Sequence, residues 1–327
     1  MNRRTLLRGA AATLAVPLAD VRAGTPHAAK AASALQEAAE EFGRLSPGQA
    51  AVCLSVRDSH AARTYRVLAD KPLFVGSAVK TFMLGQYLKE VEAGRLSEST
   101  QLDVGPAIWS PGSPVFMHLQ GTTAATSLLE AMIAHSDNTA TDAILKAVGP
   151  DRVRQLIASL GYAHTRIPDS TRMLFSYLAG APEGTDLGWD GMQKMATGSM
   201  PGKPRDPMNE RQTMQSTATE MSGWYEHVLA GKLFRKPETL QEFKRISAMA
   251  NAMPMMAPED TPAYGKGGSI DWEDFHCFSV AGQMVQPGRR SSFCFIVNWR
   301  GSDDSVPRMM ADFKSRGQRI LRLAAQS

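Results

Sequence analysis

Cysteine is scarce in this 327-residue chain, which excludes the classes of protein that depend on it. The three cysteines, Cys53, Cys277 and Cys294, are too few and too widely spaced for a disulfide framework or a zinc site. All three fall in strand-like runs, so we expect them to be buried packing residues. The sequence allows one disulfide in an oxidising compartment, and it does not say which two cysteines would form it.

Strong charge, internal repeats and low-complexity segments are also absent. The formal net charge is +4, and residues 1–23, with four arginines and one aspartate, account for most of it. Because no run of lysine and arginine occurs, a nucleic-acid partner is not expected. The content of 43% hydrophobic and 21% charged residues is typical of a soluble globular protein. We expect a monomer.

The N-terminal segment, residues 1–23, has the features of a targeting signal. Arg3 and Arg4 precede an apolar run from Gly9 to Leu18, and small residues end the segment at Ala23. Paired arginines ahead of such a run form the twin-arginine pattern. The run is too short to span a bilayer as a stable anchor. We therefore expect the folded protein to be exported to the periplasm or beyond it.

Strand patterns occur at both ends of the remaining chain. Five runs rich in β-branched and aromatic residues predict strands at 51–56, 64–68, 264–270, 277–286 and 292–299. A helix over 28–45 is predicted before the first strand, and a helix entered at Pro307 after the last. Both ends of the chain can therefore contribute to one five-stranded antiparallel sheet flanked by helices.

Helical patterns dominate the middle of the chain. Capping boxes at Ser127–Glu130 and Thr217–Glu220 indicate two helix starts. The stretch 162–215 is rich in glycine and proline and should be largely loops with short helices. We predict an α/β fold of the α+β type, with a helical domain inserted into the sheet domain. The predicted divisions are a signal at 1–23, a sheet part at 28–72 and 232–327, and a helical part at 73–231.

One stretch, Phe74 to Met83, places a serine three residues ahead of a lysine where a long amphipathic helix is predicted to begin. Residues at i and i+3 share a helix face, so Ser77 and Lys80 should meet one turn apart. A desolvated lysine can take the proton of a serine hydroxyl, and a helix N-terminus stabilises a developing anion. Because such a pair also arises by chance, other motifs must decide its meaning.

Two further motifs follow in order along the chain. Ser136-Asp137-Asn138 lies in a loop between two predicted helices, and Lys266-Gly267-Gly268-Ser269 lies on a predicted strand. Alone, the first could be just a helix cap, and the lysine of the second could be a solvated charge on an edge strand. A cleft between sheet and helical domain would gather all three motifs. With them the chain resembles the penicillin-recognising serine hydrolases, specifically the class A β-lactamases, from about Ala28 to its C-terminus.

The resemblance implies three catalytic residues. Ser77 would be the nucleophile that becomes acylated, and Lys80 would accept its proton. Ser136 would pass that proton to the leaving nitrogen of the substrate. No metal or organic cofactor is implied.

The resemblance also implies a set of substrate-binding residues. Asn138 would bind the side-chain amide of the substrate, and Lys266 would attract its carboxylate. Gly268 belongs to the same binding strand. The backbone N–H groups of Ser77 and Ser269 would form an oxyanion hole, which stabilises charge that appears only in the tetrahedral state.

The sequence departs from the family pattern on the binding strand. A lysine–threonine–glycine triad is typical of the family, and here Gly267 stands where the threonine would be. The hydroxyl that would help to hold a carboxylate is therefore missing. Ser269 could supply a substitute, because side chains two residues apart lie on the same face of a strand.

A second departure concerns the release of the acyl group. The family's glutamate, which activates the deacylating water, falls where this chain has Ser170, Thr171 and Arg172. Asp169 is the nearest carboxylate and is our candidate for the deacylation base. Without a positioned base, acylation can proceed while hydrolysis of the acyl-enzyme stalls.

These observations predict an exported serine hydrolase of class A β-lactamase type that opens β-lactams or related acyl substrates through a Ser77 acyl-enzyme, with slow deacylation. Three alternatives remain. The protein could be a D,D-peptidase acting on peptidoglycan-like peptides or an esterase of the same fold. It could also be a penicillin-binding sensor or trap without turnover, although a sensor normally needs a membrane span or an output domain and the sequence pattern shows neither.

Overall fold

The computed structural model describes residues 26–59 and 61–327, so the predicted targeting segment at 1–23 lies outside the described residues. The helices are α1 (Pro26–Gly43), α2 (Lys80–Glu92), α3 (Ala125–Ala134), α4 (Asn138–Val148), α5 (Pro150–Ser159), α6 (Thr171–Leu178), α7 (Gly188–Ala196), α8 (Ala218–Leu229), α9 (Pro237–Ala248), α10 (Ala252–Met256) and α11 (Val306–Gln326). Two 3₁₀ turns lie at Gly76–Val79 and Asp303–Ser305. The strands are β1 (Gln49–Asp58), β2 (Ala62–Val67), β3 (Leu73–Phe74), β4 (Gln101–Val104), β5 (Gly121–Ala124), β6 (Gln215–Ser216), β7 (Ala263–Trp272), β8 (Phe275–Gln286) and β9 (Arg289–Arg300).

Five strands form one antiparallel sheet in the order β2-β1-β9-β8-β7. Strand β1 from the start of the chain pairs along its whole length with β9 from the end, in a register that sets Cys53 opposite Cys294. The predicted sheet built from both chain ends is therefore confirmed. Strand β7, which carries Lys266, lies at an edge of the sheet, where its outer side is open to other elements.

Helices cover both faces of this sheet. On one face, Phe42 of α1 lies against Phe295 and Phe313, with ring centroids 5.3 and 5.4 Å apart, and so joins α1, β9 and α11. On the other face α8 packs against β1, β8 and β9. The three cysteines are buried and free, as the strand patterns predicted for packing residues.

The two predicted capping boxes have different outcomes. Thr217 is the N-cap of α8, and its side chain accepts the N–H of Glu220 at 3.0 Å. The predicted start of a helix at Ser127 is wrong, because α3 already begins at Ala125. The chain runs from β5 straight into α3, and the first N–H groups of α3 bond to carbonyls of 98 and 100 at 2.9 Å. A side-chain cap is therefore not needed there.

The middle of the chain is more regular than the glycine and proline content indicates. Strands β4 and β5 form a two-stranded sheet inside the turn-rich stretch 94–126. The stretch 162–215 contains the short helices α6 and α7 between loops, as predicted. The division into sheet and helical parts stays a prediction, and α8, inside the predicted helical part, packs on the sheet. No described helix is both long and apolar enough to cross a membrane.

Candidate active site

Ser77 lies in the 3₁₀ turn that leads into α2, and this turn is pressed against β7. Gly76 has φ +53°, and a Cβ atom there would stand 2.9 Å from the backbone nitrogen of Ser269. A Cβ atom on Gly268 would stand 2.7 Å from the backbone nitrogen of Ser77 and closer still to the carbonyl oxygen of Val75. The two glycines therefore allow direct backbone contact. They bring the N–H groups of Ser77 and Ser269 to one place, and the first N–H groups of a helix have no partner within it.

Lys80 is fully buried, and its amine reaches across to the loop before α4. The Nζ atom donates to the carbonyl oxygen of Ser136 at 2.6 Å and to Oδ1 of Asn138 at 2.7 Å, and it lies 3.4 Å from Oγ of Ser136. Burial lowers the pKa of Lys80 to about 7, although Asp142 and Asp137 oppose that shift. An amine with this pKa is partly neutral near pH 7 and can accept a proton.

Lys266 approaches the same hydroxyl from the sheet side. Its Nζ atom donates to Oγ of Ser136 at 3.1 Å and to the carbonyl oxygen of Gly267 at 2.8 Å. Burial, together with the charge of Lys80, holds the pKa of Lys266 well below its usual range. Two buried lysines thus share one serine hydroxyl, which can accept a hydrogen bond from one amine and donate to the other when that amine is neutral.

The motif at 136–138 serves as a helix cap and as part of the lysine cluster, the group formed by Lys80, Lys266, Ser136 and Asn138. Asp137 is the N-cap of α4 and accepts the N–H of Ala140 at 2.8 Å. Its second oxygen accepts N–H groups of the preceding loop at 2.9 and 3.0 Å. Ser136, at φ +60°, and Asn138 flank this cap and direct their oxygens to Lys80. Holding a serine at positive φ costs free energy, and such residues concentrate at functional sites.

Asp142 is a buried residue of the cluster that the sequence analysis missed. It lies four residues after Asn138 on α4, and its carboxylate accepts the N–H of Thr171 at 2.6 Å and of Arg172 at 3.0 Å. Burial raises the pKa of Asp142 to about 6, while those two hydrogen bonds and the charge of Lys80 oppose the shift. The i, i+4 spacing from Asn138 was the available sequence signal.

The three residues at the expected glutamate position have other contacts. Ser170 caps α6 by accepting the N–H of Met173 at 2.9 Å. Thr171 is buried, and its backbone N–H donates to Asp142. The guanidinium of Arg172 binds Asp186 at 2.6 Å and also donates to three loop carbonyls. None of these side chains places a carboxylate near Lys80.

Asp169 also has its polar contacts elsewhere. Its two oxygens accept hydrogen bonds from Arg154 at 2.5 Å and from Gln212 at 2.6 Å. Burial raises the pKa of Asp169, but these two partners outweigh that effect and the net shift is downward. Asp169 lines a surface cleft with Glu183 and Arg211, whose side chains form an ion pair at 3.4 Å. The structure does not bring Asp169 into the lysine cluster, and its role as a base stays a prediction.

The missing threonine hydroxyl on β7 has a packing explanation. A Cβ atom at Gly267 would stand 2.7 Å from the methyl group of Ala252 on α10, so the strand has no room for a threonine. Ser269, two residues on, is exposed and lines the same cavity as Gly267. In the described part of the chain, no group of three or more His, Cys, Asp or Glu side chains is arranged to hold a metal ion.

Residues 30–280 match the model of the Beta-lactamase enzyme family (Beta-lactamase2). No match was found among curated proteins.

Several solved structures share the fold. PBP-A superposes with a TM-score of 0.67 at 18% identity, over 90% of this chain and 97% of PBP-A. A beta-lactamase from Xanthomonas campestris pv. campestris gives a TM-score of 0.67 at 18% identity, over 90% and 98% of the two chains. An ancestral class A beta-lactamase gives 0.66 at 20% identity, over 89% and 99%. The predicted β-lactamase-like fold is therefore confirmed.

Proposed function

Because the chain belongs to the Beta-lactamase enzyme family, we propose that it is a serine hydrolase of class A β-lactamase type whose Ser77 is acylated by β-lactams or related acyl compounds. One observation carries this proposal. The hydroxyl of Ser136 lies between the buried amines of Lys80 and Lys266, beside the helix turn that presents Ser77. Such a cluster can take a proton from a nucleophile and return it to a leaving group without any metal ion.

Acylation follows from these positions. Neutral Lys80 accepts the proton of the Ser77 hydroxyl while the Oγ atom forms a bond to the substrate carbonyl carbon. The N–H groups of Ser77 and Ser269 stabilise the oxyanion. When the oxyanion collapses, the bond from carbon to the leaving nitrogen breaks, and Ser136 gives that nitrogen a proton and regains one from Lys80. Lys266, when it is protonated, contributes positive potential for a substrate carboxylate.

Deacylation is the step for which this chain is poorly equipped. No carboxylate stands at 170–172, and the nearby Asp169, Asp186 and Glu183 are each paired with an arginine. Asp142, the carboxylate of the lysine cluster, is occupied by the N–H groups of Thr171 and Arg172. Arg154 and Gln212 hold the pKa of Asp169 below its usual range, and a carboxylate of lowered pKa is a weak base for activating water. We therefore propose slow turnover. A related observation is that a mutant of PBP-A was solved as an acyl-enzyme complex with penicillin G.

Kinetics with nitrocefin distinguish a turning-over hydrolase from a trap. We expect a fast burst of one equivalent, then slow release, with an adduct that persists for seconds or longer in intact-mass spectra. Asp169→Asn should lengthen the lifetime of the adduct only if Asp169 acts as a base. Rapid steady-state hydrolysis without a burst would contradict slow deacylation. Simple esters tested in parallel would identify an esterase, and a D-alanyl-D-alanine peptide would identify a D,D-peptidase.

Export by the twin-arginine route is the other part of the proposal, and it rests on Arg3 and Arg4 ahead of the apolar run. Replacing both arginines with lysine should leave the precursor in the cytoplasm, because that route requires the arginine pair. Cell fractionation with immunoblotting measures the outcome. Unchanged accumulation outside the cytoplasm would show that the segment does not use this route.

A further inference from the structure

A cavity of about 240 Å³ begins at the lysine cluster and continues along β7 to α11. At its catalytic end it is lined by Ser136 and Lys266. Farther along, the lining is mostly apolar and includes Met255, Phe278 and Phe313. Lys314, also in the lining, is exposed on α11, so the cavity reaches solvent there. The cavity is thus a continuation of the active site and not a closed void.

The shape of the cavity follows from small residues on the edge strand. Gly267 pairs with Val280, and Ser269 pairs with Phe278, so these four residues share one face of the sheet. Gly267 adds no side chain to this face, and Ala252 of α10 lies directly over it as part of the same lining. Phe278 and Phe313 lie on the helix side, with ring centroids 6.0 Å apart. The result is a channel with hydroxyl and amine groups at one end and apolar side chains beyond it.

The direction of the channel indicates which part of a substrate enters it. In the proposed function, the acyl carbon is bound to Ser77 and the leaving group faces Ser136. The cavity opens at Ser136, so a substituent on the leaving group extends into it. We propose that this cavity binds an extended apolar arm on the leaving-group side, which makes acyl compounds with such an arm the preferred substrates. The proposal rests on the proposed acylation of Ser77.

Two thioesters of phenylacetic acid, S-ethyl and S-octyl, isolate this arm. Both give the same phenylacetyl adduct on Ser77, and their leaving thiols have nearly the same acidity. In each reaction the Oγ–carbon bond forms, the carbon–sulfur bond breaks, Lys80 takes the hydroxyl proton, and Ser136 protonates the thiolate. Burying one methylene group can change a rate by roughly fourfold. We expect the S-octyl ester to acylate the wild-type protein at least about tenfold faster, measured by thiol release.

Two methionines provide a matched pair of variants. Met255 lines the cavity and Met249 does not, yet their exposed fractions are 42% and 41%. Met255→Trp should reduce the S-octyl preference to nearly one, whereas Met249→Trp should keep it. Val280→Phe narrows the channel from the sheet side and should also remove the preference. It covers the case in which the new side chain of Met255→Trp turns to solvent and leaves the channel open. If thiol release is too slow to follow, the preference is measured instead as the ratio of the inhibition constants of the two esters against nitrocefin acylation.

Equal rates for the two esters in the wild-type protein would overturn the proposal. A preference that survives both Met255→Trp and Val280→Phe would overturn it as well, and so would failure of both thioesters to react or inhibit while nitrocefin acylates Ser77. Failure of nitrocefin, thioesters and simple esters alike to acylate Ser77 is a different result. It would refute the proposed function itself.

Discussion

Replacing Ser77 with alanine should abolish the covalent adduct that the wild-type protein forms with a penicillin. The hydroxyl of Ser77 is the proposed point of attachment, and the variant removes only that oxygen from a half-buried turn. Intact-mass spectrometry should show one adduct on the wild-type protein, located on Ser77 by peptide mapping, and none on Ser77→Ala. An adduct of equal yield on the variant would refute the assignment of the nucleophile.

The same assay tests the proposed base. Lys80→Met removes the amine and keeps a side chain of similar length in the buried position, so acylation should slow by at least the ~10²-fold that is typical of losing a general base. A rate close to that of the wild type would show that another group takes the proton from Ser77.

The pH dependence of acylation follows from the same amine. A base must be neutral to accept a proton, so the acylation rate should rise with pH and level off above about 7, where Lys80 loses its charge. Burial lowers the pKa of Lys80, and the charges of Asp142 and Asp137 raise it. Asp142→Asn should therefore move the rising limb to lower pH. Asp169→Asn is the control, and should leave the limb in place because Asp169 pairs with Arg154.

Gly268→Ala should impair acylation without touching any catalytic side chain. The added Cβ atom would stand 2.7 Å from the backbone nitrogen of Ser77, and even nearer to the carbonyl oxygen of Val75. Backbone atoms cannot turn aside as flexible side chains do, so β7 and the Ser77 turn must separate. A displacement of about 1 Å can cost on the order of 10²-fold in rate. We expect a loss of at least that size in acylation by nitrocefin.

A glycine away from this contact provides the control. A Cβ atom at Gly301 would stand 3.2 Å from the Ser305 hydroxyl and 3.7 Å from the next nearest atoms, all of them in side chains. Gly301→Ala should therefore acylate at nearly the wild-type rate. Thermal unfolding of both variants separates loss of fold from loss of geometry. A folded Gly268→Ala protein with wild-type acylation would show that the oxyanion site does not depend on close contact between β7 and the Ser77 turn.

Local patterns in the sequence predicted most of the scaffold. The five strands of the sheet and the helices that begin at Lys80 and Ala218 were predicted within a few residues. Alternating and helical periodicities are properties of neighbouring residues, so they can be recognised before any tertiary contact is known. Thr217 likewise caps α8 through a bond three residues away. Predictions failed where a segment outside the local pattern supplies the hydrogen-bond partners. At Ser127 the prediction failed because carbonyls of an earlier segment satisfy the first N–H groups of α3.

The three short motifs indicated the family and named Ser77, Lys80, Ser136 and Lys266, because each motif is compact in the sequence. The contacts among these residues were beyond the reach of local patterns. Lys80 and Lys266 stand 56 and 130 residues from Ser136, and only the packing of α2, α4 and β7 makes both amines share its hydroxyl.

Tertiary packing also decided which carboxylates belong to the site. Asp169 is close in sequence to the expected glutamate position, yet Arg154 and Gln212 hold it in another cleft. Asp142 belongs to no motif, and it is buried beside Lys80 because α4 packs against both α2 and α6. Gly76 and Gly268 matter through a backbone contact 192 residues apart in the chain. The charge state of a buried lysine depends on which groups surround it in space, and that neighbourhood exists only once the chain has folded.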